Sequence, residues 1–267
     1  MAIDPEIKPK RTAAFYQQLL QGSLGLPLTS DTSVEVPCQY PDAILVSIDF
    51  ENGDKIEQCM KSGNMEKKLK IQAGVSILDT RDLSSSSSPP QETLKTYNIV
   101  LGHSSYKKHS ERKFLFGKTE WLCGPAHLLN SIEKLVDRTR NIILVGHGLI
   151  KDHRVLKALG FDFKTSISGI LDTQQMAYAI LGKPEDRGSL RLKGVLEKLD
   201  CTFEGYHSAG NDANFTLRAL LLLAVEDYSG HEESLDDGMK KRLENIKALG
   251  RSQLPIPVAD VCDTELN

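Results

Sequence analysis

Residues 43–50 read A-I-L-V-S-I-D-F, an apolar run dense in β-branched side chains, bounded by Pro41 and by Asn52-Gly53. A run this short and continuous is a strand buried on both faces and followed by a turn. Such a strand needs covering layers on either side, which restricts the chain to sheet architectures flanked by helices. The segments that follow supply them. Residues 69–78 alternate in polarity and 93–101 form another strand pattern, with the low-complexity stretch D-L-S-S-S-S-S-P-P at 82–90 as a loop between them. These three β elements come in succession without a helix pattern between them, which predicts an antiparallel start to a mixed sheet. After an irregular stretch holding Trp121, helix and strand patterns alternate. Helices are predicted at 125–136, 150–160, 174–181, 189–199 and 209–226, and strands at 141–147 (N-I-I-L-V-G-H) and 169–171.

The ends of the chain look different from its middle. In residues 1–40, Pro5, Pro9, Pro27 and Pro37 punctuate one short helical pattern around Ala13 to Leu20, so this stretch is predicted to be an arm rather than a core element. The compact domain is placed at 41–229, and residues 230–267 hold a charged helix at 234–249 and a Pro-containing tail. No apolar run approaches the roughly 18 residues that cross a bilayer, and M-A-I-D-P-E-I-K-P-K-R at the N-terminus has no apolar signal core. The expectation is therefore an intracellular protein, cytoplasmic or nuclear, without membrane contact. Five scattered cysteines show no metal-ligand spacing, which leaves buried or incidental thiols.

The acidic residues are where chemistry enters. Asp49 and Glu51 are two apart on the first strand, so both project from one face, while Phe50 points to the other. Two carboxylates side by side repel unless a cation lies between them. Asp152 follows the strand-turn V-G-H-G-L-I-K-D at 145–152 and sits in the first turn of a helix. In Y-H-S-A-G-N-D-A at 206–213, His207 lies just before a helix and Asp212 within its first turns. A base on a flexible lead-in beside a carboxylate held by packing is what metal-assisted phosphodiester hydrolysis needs, since histidine titrates near neutral pH and carboxylates hold divalent ions. Taken singly, each segment has a plainer reading as a solvated strand end, an acid at a helix dipole or a capping histidine.

Together the three segments resemble the DEDDh exonuclease family, in order, separation and local context across about 43–226. The matching residues are Asp49 and Glu51 in I-L-V-S-I-D-F-E, Asp152 in V-G-H-G-L-I-K-D, and His207 with Asp212 in H-S-A-G-N-D-A. G-I-L-D-T and H-S-A-G-N-D-A-N-F-T-L look most like the fungal branch that includes the argonaute-associated exonuclease QIP. The resemblance implies an α/β, RNase H-like fold: a mixed five-stranded sheet flanked by helices, here with an N-terminal arm and a C-terminal helical extension. It implies that Asp49, Glu51, Asp152 and Asp212 hold two Mg²⁺ or Mn²⁺ ions and that His207 is the general base. The reaction would be 3′-to-5′ hydrolysis of single-stranded RNA or DNA, RNA favoured, releasing nucleoside 5′-monophosphates. One ion would serve the attacking water and the other the leaving 3′-oxygen. Phe50 and Leu149 are the candidates for packing against the terminal base.

Two departures from the family pattern leave the carboxylates intact: Asn52 stands where threonine is frequent, and Gly148 and Lys151 stand where Asn and Phe are usual. Asp172, in D-T-Q-Q, reads as a helix cap and His147 as a turn or packing residue. A net charge of −3 gives no general attraction to nucleic acid, so any such binding is local. The basic clusters Lys67-Lys68 with Lys70, Lys107-Lys108 with Arg112 and Lys113, and Lys240-Lys241-Arg242 read as solvated faces. By resemblance, an argonaute protein and a small-RNA strand are the expected partners. The competing reading is a catalytically silent domain of the same fold that binds nucleic acid or protein.

Overall fold

The computed structural model describes residues 12–28, 40, 42–62, 70–84, 90–182 and 190–255. Most of the expected arm, Lys67-Lys68, the run 85–89, Cys38, Cys262 and the tail beyond 255 lie outside these. In chain order the elements are α1 (Ala13–Ser23), β1 (Ile44–Glu51), α2 (Gly53–Ser62), β2 (Lys70–Asp79), α3 (Pro90–Thr93), β3 (Lys95–Gly102), α4 (Ser104–Lys113), β4 (Thr119–Leu122), α5 (Leu128–Leu135), β5 (Ile142–Gly146), α6 (Ile150–Leu159), β6 (Ile167–Asp172), α7 (Thr173–Ile180), α8 (Leu192–Lys198), α9 (Ala209–Asp227) and α10 (Asp237–Gly250). No helix among the described residues is long and apolar enough to cross a membrane.

The strands form one mixed sheet in the order β4-β3-β2-β1-β5-β6. β1, β2 and β3 are antiparallel neighbours, as the run of successive strand patterns predicts, whereas β4, β5 and β6 each add in parallel. This is an RNase H-like α/β sheet with helices on both faces. Alternate residues of β1 feed two separate cores. Leu45 joins the layer of α1, α7, α8, α9 and α10, with Leu20, Met176, Leu196 and Phe215. Val46 and Ile48 join the layer of α2, α5 and α6, with Ile56, Ile132 and Val155. α9 is buried on every side from Ala209 to Ala224, which is why its sequence is apolar nearly all round instead of striped.

Three expectations need correction. The sheet has six strands rather than five, because T-E-W-L at Thr119–Leu122 is a short edge strand whose four residues are too few and too polar to show a period. The first three strand patterns show no helix between them, yet the Asn52-Gly53 turn runs directly into helix α2 between β1 and β2. The period of α2 is faint because Ile56 and Cys59 are its only buried apolar side chains among the described residues. Asn52 takes the left-handed conformation such a turn requires (φ 59°), and Gly53 then fits against Val155, where a Cβ would lie 2.6 Å from Cγ2. The helix in the expected arm belongs to the core, since Leu19, Leu20, Leu24 and Leu26 are buried and Gln17 Nε2 donates to Asp227 Oδ1 at 2.7 Å. Pro27 follows the end of this helix and does not exclude it from the core. α10 is docked as well: Leu243, Ile246 and Leu249 are buried, and Arg242 donates to the Leu24 and Thr80 carbonyls.

Candidate active site

Asp49 and Glu51 leave the end of β1 on the face that α9 covers, and Phe50 leaves on the other and packs among the α2 and α6 side chains. Across the antiparallel ladder Asp49 faces Gly74 and Glu51 faces Gln72. α9 begins directly over Gly74, where a Cβ would sit 1.8 Å from the Ala209 carbonyl oxygen, so only glycine lets the helix approach the strand this closely.

The sheet then supplies the partners that the first turn of a helix lacks. Ala209 N–H donates to Gln72 Oε1 at 3.2 Å and Gly210 N–H to Asn98 Oδ1 at 3.3 Å. Asn211 ties the same turn to its surroundings, accepting from Leu115 N and donating to the Lys113 and Gly205 carbonyls. Asp212 is thereby fixed against the end of β1.

Asp49, Glu51 and Asp212 each offer a carboxylate oxygen, and these atoms lie within 4.8 Å of one another. Asp152 approaches from the opposite layer, 7% exposed in the first turn of α6, and its Oδ1 accepts from Phe50 N–H at 3.0 Å, between the two strand acids. It belongs to the group electrostatically but stands outside the tight trio. Burial and then the charges of Asp152, Asp212 and Glu51 raise the Asp49 carboxyl well above its ordinary range. Burial and then Glu51 push Asp212 up to about 7, partly offset by the His207 backbone. Burial pushes Asp152 up to about 6 against the opposing pull of the Phe50 N–H.

Among the described residues, the one ion pair to this group is His207 Nδ1, 3.5 Å from Glu51 Oε1. Asp212 Oδ1 is buried without a hydrogen-bond partner. Three acids with raised pKa values beside Glu51, no lysine or arginine ion-paired with any of the four among the described residues, and an orphaned oxygen are a site that lacks its counter-charge. The donor set is entirely carboxylate oxygen, so it fits hard divalent cations.

His207 differs from the carboxylates in every respect. Its side chain is 85% exposed, and its backbone takes φ 61° on the lead-in to α9. The base candidate thus stands on a solvated segment beside a buried acidic floor.

The neighbouring residues are occupied structurally. Asp172 accepts from the N–H groups of Gly148, Leu149 and Gln174, holding the turn that precedes Asp152. His147 lies between Thr173 Oγ1 and the Leu190 carbonyl, both at 2.9 Å. Leu149 folds back over Gly146 and is buried, which removes it as an open platform for a base, while Ile150 beside it is 67% exposed.

Gly74, Gln72, Asn98 and Asn211 each set the position of α9, and only Asn211 belongs to a motif visible in the sequence. The available signal was a polar residue at an inward position of an otherwise apolar strand, and an asparagine next to the acid in G-N-D.

The sequence model of the family DEDDh_C, described as DNA polymerase III subunit epsilon-like, C-terminal domain, matches residues 44–223. That interval runs from β1 through most of α9 and so contains all four carboxylates and His207. No curated protein matches the chain.

Proposed function

The chain belongs to the DEDDh family of DNA polymerase III epsilon-like domains, and on that premise we propose that it is a metal-dependent 3′-to-5′ exonuclease of single-stranded nucleic acid, RNA ahead of DNA, releasing nucleoside 5′-monophosphates. The observation that carries the proposal is the convergence of Asp49, Glu51 and Asp212 within 4.8 Å, with Asp152 tied to the same strand and no lysine or arginine ion-paired with them among the described residues. In this reading the four carboxylates hold two Mg²⁺ or Mn²⁺ ions, which when bound supply the positive charge that an attacking water and a departing 3′-oxygen both need. The chain's own part is to fix three of those carboxylates on β1 and α9 and the fourth through the Phe50 amide, so that their spacing does not relax when cations arrive. His207 takes the proton of the attacking water, and its exposed lead-in lets it approach and withdraw as each nucleotide leaves. A small-RNA strand and an argonaute partner extend the reading on the strength of the G-I-L-D-T and H-S-A-G-N-D-A-N-F-T-L phrases.

The test is degradation of 3′- and 5′-labelled single-stranded RNA and DNA in Mg²⁺, Mn²⁺ or EDTA, comparing wild type with Asp49→Ala and His207→Ala. Stepwise shortening from the 3′ end, lost in EDTA and in both variants, is the expected result. Folded wild-type protein that turns over no substrate would overturn the enzyme and leave a binding module of the same fold.

A further inference from the structure

One row of the sheet connects the acidic group to a surface that the proposed chemistry leaves unused. Glu51 faces Gln72, Gln72 faces Val100 and Val100 faces Trp121, so all four side chains project from the same side. Strands lie about 4.8 Å apart, which places Trp121 roughly 14 Å from Glu51 along that row. The indole, on the edge strand β4, is 44% exposed, unusually open for so large an aromatic side chain. Lys107 Nζ lies 5.3 Å from the centre of its ring.

α4 fills the interval. Tyr106 OH accepts from Gln72 Nε2 at 3.1 Å, and Lys70 Nζ lies 5.9 Å from the Tyr106 ring. α4 reads S-S-Y-K-K-H-S-E-R-K, with four cationic residues against Glu111, and only Ser110 is buried. Lys108 and Arg112, four apart on one side, are exposed. Lys107, Lys108, Arg112 and Lys113 make no ion pair among the described residues, whereas Arg242 of the other basic cluster donates to two backbone carbonyls. In a chain of net charge −3, these cations stand concentrated beside an exposed indole without a carboxylate partner among the described residues, and Lys107 already rests on the indole ring.

We infer that the α4–β4 surface carries the single strand upstream of its 3′ end, with phosphates on Lys107, Lys108 and Arg112 and a base stacked on Trp121. The inference rests on the exonuclease reading for the direction of the strand. A cationic helix with an adjacent aromatic face is the means by which proteins hold single strands without reading sequence, because every base has a stacking face and every linkage a phosphate. At 3.4 Å per stacked residue the distance from Glu51 to Trp121 spans about four nucleotides. A dinucleotide seated at the acidic group does not reach the indole.

Trp121 is the chain's one tryptophan, so its emission reports on this surface alone. The full chain is titrated with an oligouridylate of about ten residues and with the dinucleotide, in EDTA and in Ca²⁺, while wild type is assayed separately for shortening of the same oligomer in Mg²⁺. The expected result is saturable quenching by the oligomer and none by the dinucleotide. The salt dependence of that binding should fall by about 1.4 in slope in Lys108→Ala/Arg112→Ala. Shortening without quenching in either buffer overturns the surface and leaves the exonuclease standing. Quenching with the lowered salt slope but no shortening supports the surface and removes the exonuclease. Quenching with an unchanged slope overturns the assignment of the phosphates, and neither quenching nor shortening removes both.

Discussion

β1 and β2 carry acids at both ends of their ladder, and the two ends are treated in opposite ways. At one end Asp79, opposite Ile44, receives Arg81 Nε at 3.0 Å and Arg140 Nη1 and Nη2 at 3.0 and 3.1 Å. Burial alone would push its carboxyl up, but the two guanidiniums outweigh it and hold it well below the usual range. At the other end, Asp49, Asp152 and Asp212 meet burial with no such partner and are raised. The difference separates an acid that serves the fold from acids the fold bears. A buried like-charged group is a standing electrostatic strain, retained where something from outside relieves it.

The comparison is most sharply broken by removing a carboxylate at each end. Asp212→Asn is expected to lower nuclease turnover by about three orders of magnitude, the equivalent of some 4 kcal/mol at the transition state, yet to raise the melting temperature of metal-free protein at pH 8, because a charge without a partner is gone. Single-turnover rates and thermal melts of the same preparation read both. A lower melting temperature together with intact turnover would make Asp212 another Asp79. Next in size is His207→Ala, for which a loss of about a hundredfold in kcat is expected with oligonucleotide affinity unchanged. An equal rise in Kd would show that the imidazole binds the strand instead of taking a proton.

The two ends were not equally legible in the sequence. Asp49, Glu51, Asp152, His207 and Asp212 are each two residues or one helical turn from a pattern break, and their order along the chain carried the resemblance. The strands that frame them were readable for the same reason: continuous apolar runs such as 43–50 and 141–147 admit one interpretation. What could not be read was whatever depends on meeting a distant residue. Gln72 looks like a polar interruption until Ala209 arrives above it, and Gly74 looks like a weak point until α9 fills the space. Asp79 resembles any acid at a strand end until Arg140, sixty-one residues later, reaches it. β4 was missed because an edge strand of four residues pairs on one side only, and α1, though legible as a helix, was placed outside the core because the prolines of residues 1–40 suggested an arm while its leucines are buried against α7 and α9.

A smaller effect should come from the structural end. Asp79→Ala is expected to cost about 2 kcal/mol, since Arg140, 14% exposed, would keep its charge without its partner. Turnover measured well below the new melting temperature should remain that of wild type. Denaturant melts check the first part and labelled-strand assays the second; a drop in turnover larger than the unfolded fraction explains would mean that this end also positions the acidic group.

The finest distinction is in pH. Carboxylates raised in the folded state hold protons that the unfolded chain gives up near pH 4, so their favourable contribution is complete below that and is lost as pH rises through about 6 to 7. Asp79 has the opposite sign: its contribution is present above pH 4 and lost as pH falls below it. Metal-free protein should therefore be most stable under mildly acidic conditions and lose stability towards pH 8. Divalent cations bind the ionised acids only, so saturating Mg²⁺ or Mn²⁺ should stabilise the fold more at pH 8 than at pH 5. Asp212→Asn should flatten that difference and Asp79→Ala should leave it in place. If the two variants respond alike, the two ends of the ladder share one electrostatic role, and the contrast between them has no bearing on metal.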